Sequence, residues 1–297
     1  MDRSINGILL INKPKGVTSN HVLQKAKRIV GAKKAGHTGS LDPLATGMLP
    51  VCFGKATKIC SYLLNSDKTY NVEARLGQST DTGDREGAVI KVNNSSIPSL
   101  DLVQKSLQKF IGESEQIPPM YSAVKHNGKR LYDLARSGKV VKRKSRKITV
   151  RSLELDSFSW PRLSFIVKCS KGTYIRTLVE DIANCMGTHA HVWNLHRTSV
   201  EPFRNDKMYE LESIDNIISN NRNNTYDFII DIDRVFENMP ALTLYDNKLK
   251  SFMNGQRVEI VPGSFSREVR VYAVDHSFIG LGFTTIDGFL SPKKIFV

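Results

Sequence analysis

The spacing of apolar residues changes period several times along the chain, and each change predicts a new element. Gly7 to Asn12 is a short apolar run and predicts a strand. Beyond it, Val22, Leu23, Ala26, Ile29 and Val30 recur at helical spacing, with Ser19 or Asn20 able to cap the start and Gly31 marking the end. MLPVCFG predicts a strand, ATKICSYLLN a helix and KTYNVEARLG a strand. SLDLVQKSLQKFIG reads as an amphipathic helix closed by Gly112, and KRLYDLARSG as a short helix ending at Gly138. From Lys147 the period becomes two. KITVRSLEL and RLSFIVKCS alternate, the second placing Leu163, Phe165, Val167 and Cys169 on one face. TYIRTLVEDIANCMG then predicts a helix stopped by Gly187, and HVWNLHRTSV a strand. The polar stretch from Ser219 to Thr225 reads as a loop. After Met239-Pro240 come a short helix, LKSFMNG, and the short strands VEIV, VRVYAV, FIGLGF and KKIFV. The fold class is therefore α+β. A large domain is expected over residues 1–238 and a small β-rich one over 239–297.

Composition adds a partner class. The 297 residues carry 43 Lys and Arg against 29 Asp and Glu, a net charge of +14. A surplus of that size favours a polyanion, most often nucleic acid. No apolar run approaches the ~18 residues of a membrane span. The N-terminal run is also too short for the apolar region of a signal peptide. Cys52, Cys60, Cys169 and Cys185 have no zinc-ligand spacing and mostly sit in apolar runs, as small core residues do. A reduced cytoplasmic setting follows, with no metal or cofactor expected.

Against that basic background one acid stands out. Gly36 to Gly47, GHTGSLDPLATG, is a loop with three glycines and a proline around the lone Asp42. It is not a phosphate cradle, because neither GxxxxGK[ST] nor GxGxxG fits it. A residue before proline is pushed into an extended conformation, and glycines permit angles other residues avoid. An isolated Asp-Pro is ordinarily a turn bonding its own backbone. A twelve-residue loop of this composition instead presents a side chain in fixed geometry. A carboxylate there serves as nucleophile or general base. Beside a polyanion it needs a fixed cation, and arginine holds a carboxylate through two hydrogen bonds and keeps it ionised. Arg176, early on a predicted helix, is the candidate.

These residues carry a family resemblance. GHTGSLDPLATGMLP resembles the catalytic motif of the TruB-type tRNA pseudouridine synthases. Lys13-Pro14-Lys15-Gly16 resembles the family's KPxG segment and Lys68-Thr69-Tyr70 its KxY motif. Gln116 to Lys125, QIPPMYSAVK, resembles QxPPxYSAxK, and Gly172 to Arg176 opens a segment similar to GTYIRxLxxD. Order and spacing agree over roughly residues 5–200. The last stretch resembles the family's PUA-like RNA-binding domain, though less specifically. The resemblance implies a mixed central sheet with flanking helices, and isomerisation of a uridine in tRNA, at uridine 55 of the T-loop. It implies no cofactor or metal.

The resemblance also implies roles. The nucleotide is flipped out of its loop, and Asp42 acts on it by attack at C1′, by attack at C6, or through a glycal. Tyr70 stacks on the uracil, and its hydroxyl is available for proton removal. Arg176 pairs with Asp42. Tyr174 and Leu195 help form the uracil pocket, His37 stacks or positions RNA, and Lys13 supports the site or a phosphate. Lys142, Arg143, Lys144, Arg146 and Lys147 are expected on the RNA backbone. They lie at the end of an insertion, about residues 118–147, that is mobile in the family and closes over RNA. A monomer acting on the tRNA T-arm is expected, without guide RNA or membrane. Two alternatives stay open: the same chemistry on another RNA, and an RNA-binding helper of tRNA folding.

Overall fold

The structure, a computed structural model, describes residues 5–93, 97–220, 226–261 and 266–297. In chain order the first half contains β1 (Gly7–Lys13), α1 (Ser19–Val30), β2 (Ala35–His37), β3 (Thr46–Phe53), α2 (Cys60–Asn65), β4 (Lys68–Leu76), β5 (Gln78–Thr80), β6 (Val89–Val92), α3 (Leu100–Gln108) and β7 (Gly112–Gln116). Next come β8 (Lys125–His126), β9 (Lys129–Arg130), α4 (Leu131–Arg136), β10 (Arg146–Ser159), β11 (Arg162–Cys169), α5 (Ile175–Cys185), β12 (Ala190–Val200) and α6 (Leu211–Asn220). The chain closes with β13 (Ala241–Thr243), α7 (Asp246–Met253), β14 (Val258–Glu259), β15 (Arg267–Tyr272), β16 (Phe278–Thr284) and β17 (Phe289–Ile295).

Eight strands form one mixed sheet in the order β1-β3-β12-β4-β11-β10-β7, with β2 also on β3. The β3–β12 pair is parallel and the others are antiparallel. Alternation in β11 buries Leu163, Phe165, Val167 and Cys169 against Val72 of β4, Val103 and Leu107 of α3, and Leu178, Val179 and Ile182 of α5. At the other end of the sheet both faces are covered. Leu9, Ile11, Leu49 and Val51 pack on α1 and α6, while Ile8, Leu10, Met48 and Cys52 pack on Leu63, Leu281 and Phe296. Burial on both faces explains why β1 is a continuous apolar run rather than an alternating one. The last five strands make a separate sheet, β13-β15-β16-β17-β14, with its own core around Leu244, Phe252, Val271 and Leu290.

Several local expectations change. Thr18, not Ser19 or Asn20, caps α1: its hydroxyl accepts from His21 N at 3.1 Å. Ser19 is drawn inward to bond the backbone of Leu41. The segment expected as one helix from Ala56 begins as a 3-10 turn, Gly54–Ile59, before α2. There the Thr57 hydroxyl bonds Gly54 O at 2.8 Å, a local bond that competes with the helical ladder. Helix α3 stops at Gln108 because Phe110 and Ile111 turn back onto Leu107 O and Gln108 O, and Gly112 opens β7 instead of closing the helix. Ser219 and Asn220 end α6, and the rest of the expected loop lies outside the described residues. Cys185 is exposed rather than core.

Candidate active site

Asp42 lies on the loop between β2 and β3, and that loop is clamped from every side. Leu41, Leu44 and Ala45 are buried in the sheet's core. The Ser19 hydroxyl accepts from Leu41 N at 2.8 Å and donates to Leu41 O at 3.2 Å. Gly16 N donates to Pro43 O. Lys13 is fully buried, and its ammonium donates to the carbonyls of Pro14, Val17 and Pro43. Burial lowers the Lys13 pKa to about 8. Arg197, 1% exposed, donates from Nε to Met48 O at 2.7 Å and from Nη2 to Gly39 O at 3.1 Å. Gly47 has φ +99°, and a Cβ there would meet Arg197 O at 2.2 Å, so the β3–β12 contact requires glycine.

Arg176 approaches from the first turn of α5. Its Nε lies 2.9 Å from Asp42 Oδ2 and its Nη2 donates to Oδ1 at 3.2 Å, a two-pronged pair. Two further bonds hold it: Nη1 donates to Thr82 O and Nη2 to Tyr121 O, both at 2.8 Å. One guanidinium thus joins the Asp42 loop, the Thr80–Gly87 turn and the 118–147 segment. Arg176 is 5% exposed while the Asp42 side chain keeps 37%, so the acid faces open space and the base is locked behind it. Desolvation raises the Asp42 pKa, Arg176 and Lys13 pull it back, and Asp84 adds to the rise.

The space in front is a cavity of about 940 Å³ lined by Asp42, Arg176, His37, Thr82, Asp84, Tyr121, Lys125, Arg130, Tyr132 and Arg136, among others. Its far wall is the insertion, built from the β8–β9 hairpin and α4 and anchored by buried Leu131. Burial, and then the Arg197 charge, lowers the His37 pKa and favours a neutral ring. Tyr70 sits in the core cluster with Leu41 and Leu44, directly across from Arg197 in the β4–β12 register. Burial raises its pKa, Arg197 opposes that, and the Asp42 charge reaches it. Among the described residues no group of three His, Cys, Asp or Glu is placed to hold a metal. No helix there is long and apolar enough to cross a membrane.

Asp42, Arg176 and His37 therefore meet at one cavity, with Tyr70 one layer behind. Tyr174 and Leu195 do not line that cavity. Tyr174 caps α5 and exchanges two backbone bonds with the Gln116 side chain. Leu195 packs in the core and lines a smaller cavity, about 330 Å³, with Asn71 and His196. Lys13 holds the loop and is not exposed to a phosphate. In the basic run, Lys142, Lys144, Arg146 and Lys147 are exposed. Arg143 departs from the others: it is half-buried and donates to Pro118 O, tying the insertion's two ends. Arg197 and the Thr80–Gly87 turn were not singled out by sequence. The signal for Arg197 was present, since it occupies the same strand phase as buried Leu195 and Ser199.

Similarity to known proteins agrees with this geometry. Residues 27–175 match the TruB family pseudouridylate synthase N-terminal domain. Residues 176–239 match the tRNA pseudouridylate synthase B C-terminal domain, and residues 240–296 the pseudouridine synthase II TruB C-terminal model. A tRNA pseudouridine synthase B from Legionella pneumophila (strain Corby) is 44% identical over 293 residues, covering 98% of this chain and 96% of its own. The protein of that name from Chromohalobacter salexigens is 43% identical over 98% of this chain and 94% of its own. Among solved structures, a Cbf5–Nop10–Gar1 complex superposes with TM-score 0.74 at 25% identity, covering 98% of this chain and 85% of that one. The chain belongs to the TruB family of pseudouridine synthases.

Proposed function

We propose that the protein isomerises uridine 55 in the T-loop of tRNA to pseudouridine, with Asp42 as the group that acts on the nucleotide. The observation that carries this reading is the two-pronged Asp42–Arg176 pair at the wall of a cavity large enough for a nucleotide. The relatives named as tRNA pseudouridine synthase B supply the substrate class.

The base must leave C1′, turn, and rejoin through C5, so the nucleotide is extruded from its loop into the cavity. Asp42 meets it oriented and with its ionised form favoured by Arg176, which binds both carboxylate oxygens and is itself fixed by Thr82 and Tyr121. Such preorganisation removes reorganisation from the chemical step. Attack at C1′, attack at C6 and passage through a glycal all use a carboxylate in this position. The family resemblance gives Tyr70 the role of stacking on the base; here it lies one layer behind the cavity wall, with its hydroxyl steadied by Arg197. Neutral His37 suits stacking on a neighbouring base better than pairing with a phosphate. Tyr174 and Leu195 shape the pocket from behind, and Lys13 holds the loop that carries the acid. The exposed lysines and arginines of the 142–147 run contact the RNA backbone.

Tritium release from tRNA bearing 5-tritiated uridine tests this directly, since the C5 hydrogen must be expelled. Wild type is expected to release tritium, and Asp42→Asn to bind the tRNA without release. Equal release by both proteins excludes Asp42 from the chemistry. Pseudouridine mapped at a position other than 55 excludes the target.

A further inference from the structure

Three guanidiniums converge on one indole beside the Thr80–Gly87 turn, and the isomerisation chemistry uses none of them. Trp193 is the extra residue of a bulge in β12, between Val192, which pairs with Ala74, and Asn194, which pairs with Glu73. The Arg162 guanidinium lies 3.9 Å from the centre of its ring, with Arg85 at 5.4 Å and Arg75 at 5.5 Å. Arg75 and Arg162 are direct cross-strand partners in the β4–β11 register. Like charges placed opposite each other in a sheet destabilise it. Glu73 offsets only part of this: its Oε1 lies 3.3 Å from Arg162 Nη1, and its other oxygen accepts from Asn194. Arg75 Nε is buried without a hydrogen-bond partner. Three cations with only Glu73 in an ion pair among them, Asp84 facing the cavity side of the turn, and a buried donor unmet form a site suited to an anion.

Its position identifies the anion. Arg85 belongs to the Thr80–Gly87 turn, which is fastened to the bulge by Val192 N to Gly83 O and Arg85 N to Val192 O. The other side of that turn, Thr82, Asp84 and Glu86, lines the catalytic cavity. A chain leaving the cavity over this turn meets the arginines next. Asn194 accepts from Arg85 Nη1 at 3.1 Å and so holds that guanidinium in place. We infer that Arg75, Arg85, Arg162 and Trp193 form a phosphodiester-binding site that grips the substrate RNA backbone where it leaves the catalytic cavity. The inference rests on the RNA-modifying reading of the cavity. The site fixes register and carries no base preference, because guanidiniums on phosphates read no sequence.

The test measures tRNA affinity against salt concentration for the full-length protein, alone and as Arg85→Gln, Arg162→Gln and the double variant. Removing one phosphate interaction is expected to flatten the slope of log affinity against log salt by roughly 0.7–0.9. KM for tRNA rises while the rate at saturating tRNA stays at the wild-type value, because neither arginine touches Asp42 or Arg176. Arg85 lies on a turn, so Arg85→Gln is expected to keep the wild-type melting temperature and remain usable if Arg162→Gln folds poorly. Wild-type slopes in a folded Arg85→Gln and in the double variant overturn the site. Inorganic phosphate bound by wild type but not by the variants, with RNA slopes unchanged, assigns the cluster to a free anion and also overturns the RNA contact. A wild-type protein that forms no pseudouridine defeats the proposed function instead, and the binding slopes still decide the site.

Discussion

A carboxylate at the wall of a cleft loses hydration that only a fixed cation replaces, and at Asp42 the replacement is partial. Desolvation is the larger effect, so the carboxyl keeps its proton to a higher pH than the ordinary 3.8, with Arg176 opposing. In the proposed function the ionised form is the reactive one. The single-turnover rate is therefore expected to climb with pH through this raised value and level off above it. Arg176→Gln removes the strongest force favouring ionisation, so its acid limb should move to higher pH, besides lowering the plateau. Tritium release followed across the acid range for both proteins measures the order of the midpoints. A variant midpoint at or below the wild-type one would mean that Arg176 does not govern the ionisation of Asp42. At this scale Asp42 stands out in the sequence as a lone acid on a Gly- and Pro-rich loop in a basic chain, and the structure places it at the wall of the cavity. The pairing with Arg176 rests on the need for a fixed cation and on the family resemblance rather than on spacing, since 134 residues separate the two, and the structure adds its two-pronged geometry.

The loop is rigid because two secondary elements meet beneath it with no room to spare. Strands β3 and β12 pair in parallel at Gly47 and Arg197, and the Arg197 backbone occupies the space a side chain at Gly47 would need. Gly47→Ala must adopt a φ of +99° that L residues avoid, at a cost of about 1–3 kcal/mol from strain alone. The clash with Arg197 O then pushes the Asp42 loop off its seat. Urea unfolding is expected to show at least that loss, and tritium release to fall more than the stability change explains. A variant within ~0.5 kcal/mol of wild type with normal activity would show that the strand contact is not what seats Asp42. The strands themselves are legible in the sequence, because β4, β11 and β12 alternate against a single dry face and β1 is apolar on both. Helix ends are less so. Thr18, Thr57 and the Phe110–Ile111 turn decide them through local bonds that compete with the helical ladder, and apolar periodicity does not register such bonds. Arg197 escapes notice for a related reason: an arginine on a strand is ordinarily taken as surface, although its phase matches the buried residues.

At the scale of the whole molecule, composition points to a break near Pro240, and a separate five-stranded sheet does begin at Ala241. What composition does not report is how that sheet is joined to the rest. Leu281 and Phe296 share a core with Ile8, Leu10, Met48 and Cys52 of the large sheet. Lys58 Nζ donates to Ile295 O at 2.7 Å, and Tyr272 OH to Asp233 Oδ2 at 2.7 Å. Surface shared in this way couples the stabilities of the two parts, unlike a flexible linker between independent beads. Phe296→Ala opens a cavity in the shared core, at a cost of roughly 3–5 kcal/mol. Both tryptophans, Trp160 and Trp193, lie outside this core on the large sheet's side of the chain. Their fluorescence therefore reports the unfolding of a part that the substitution does not touch. Thermal melting followed by tryptophan emission is expected to stay a single transition and to move down by several degrees, at about 2 °C per kcal/mol for a chain of this size. If the emission midpoint holds while circular dichroism shows an earlier, separate loss of strand signal, the last 57 or so residues melt on their own and the shared core contributes little. Coupling of this kind would let a contact made by RNA on the small sheet stabilise the loop that carries Asp42 and the helix that carries Arg176, because anything that binds the folded state alone stabilises all of the structure that unfolds with it.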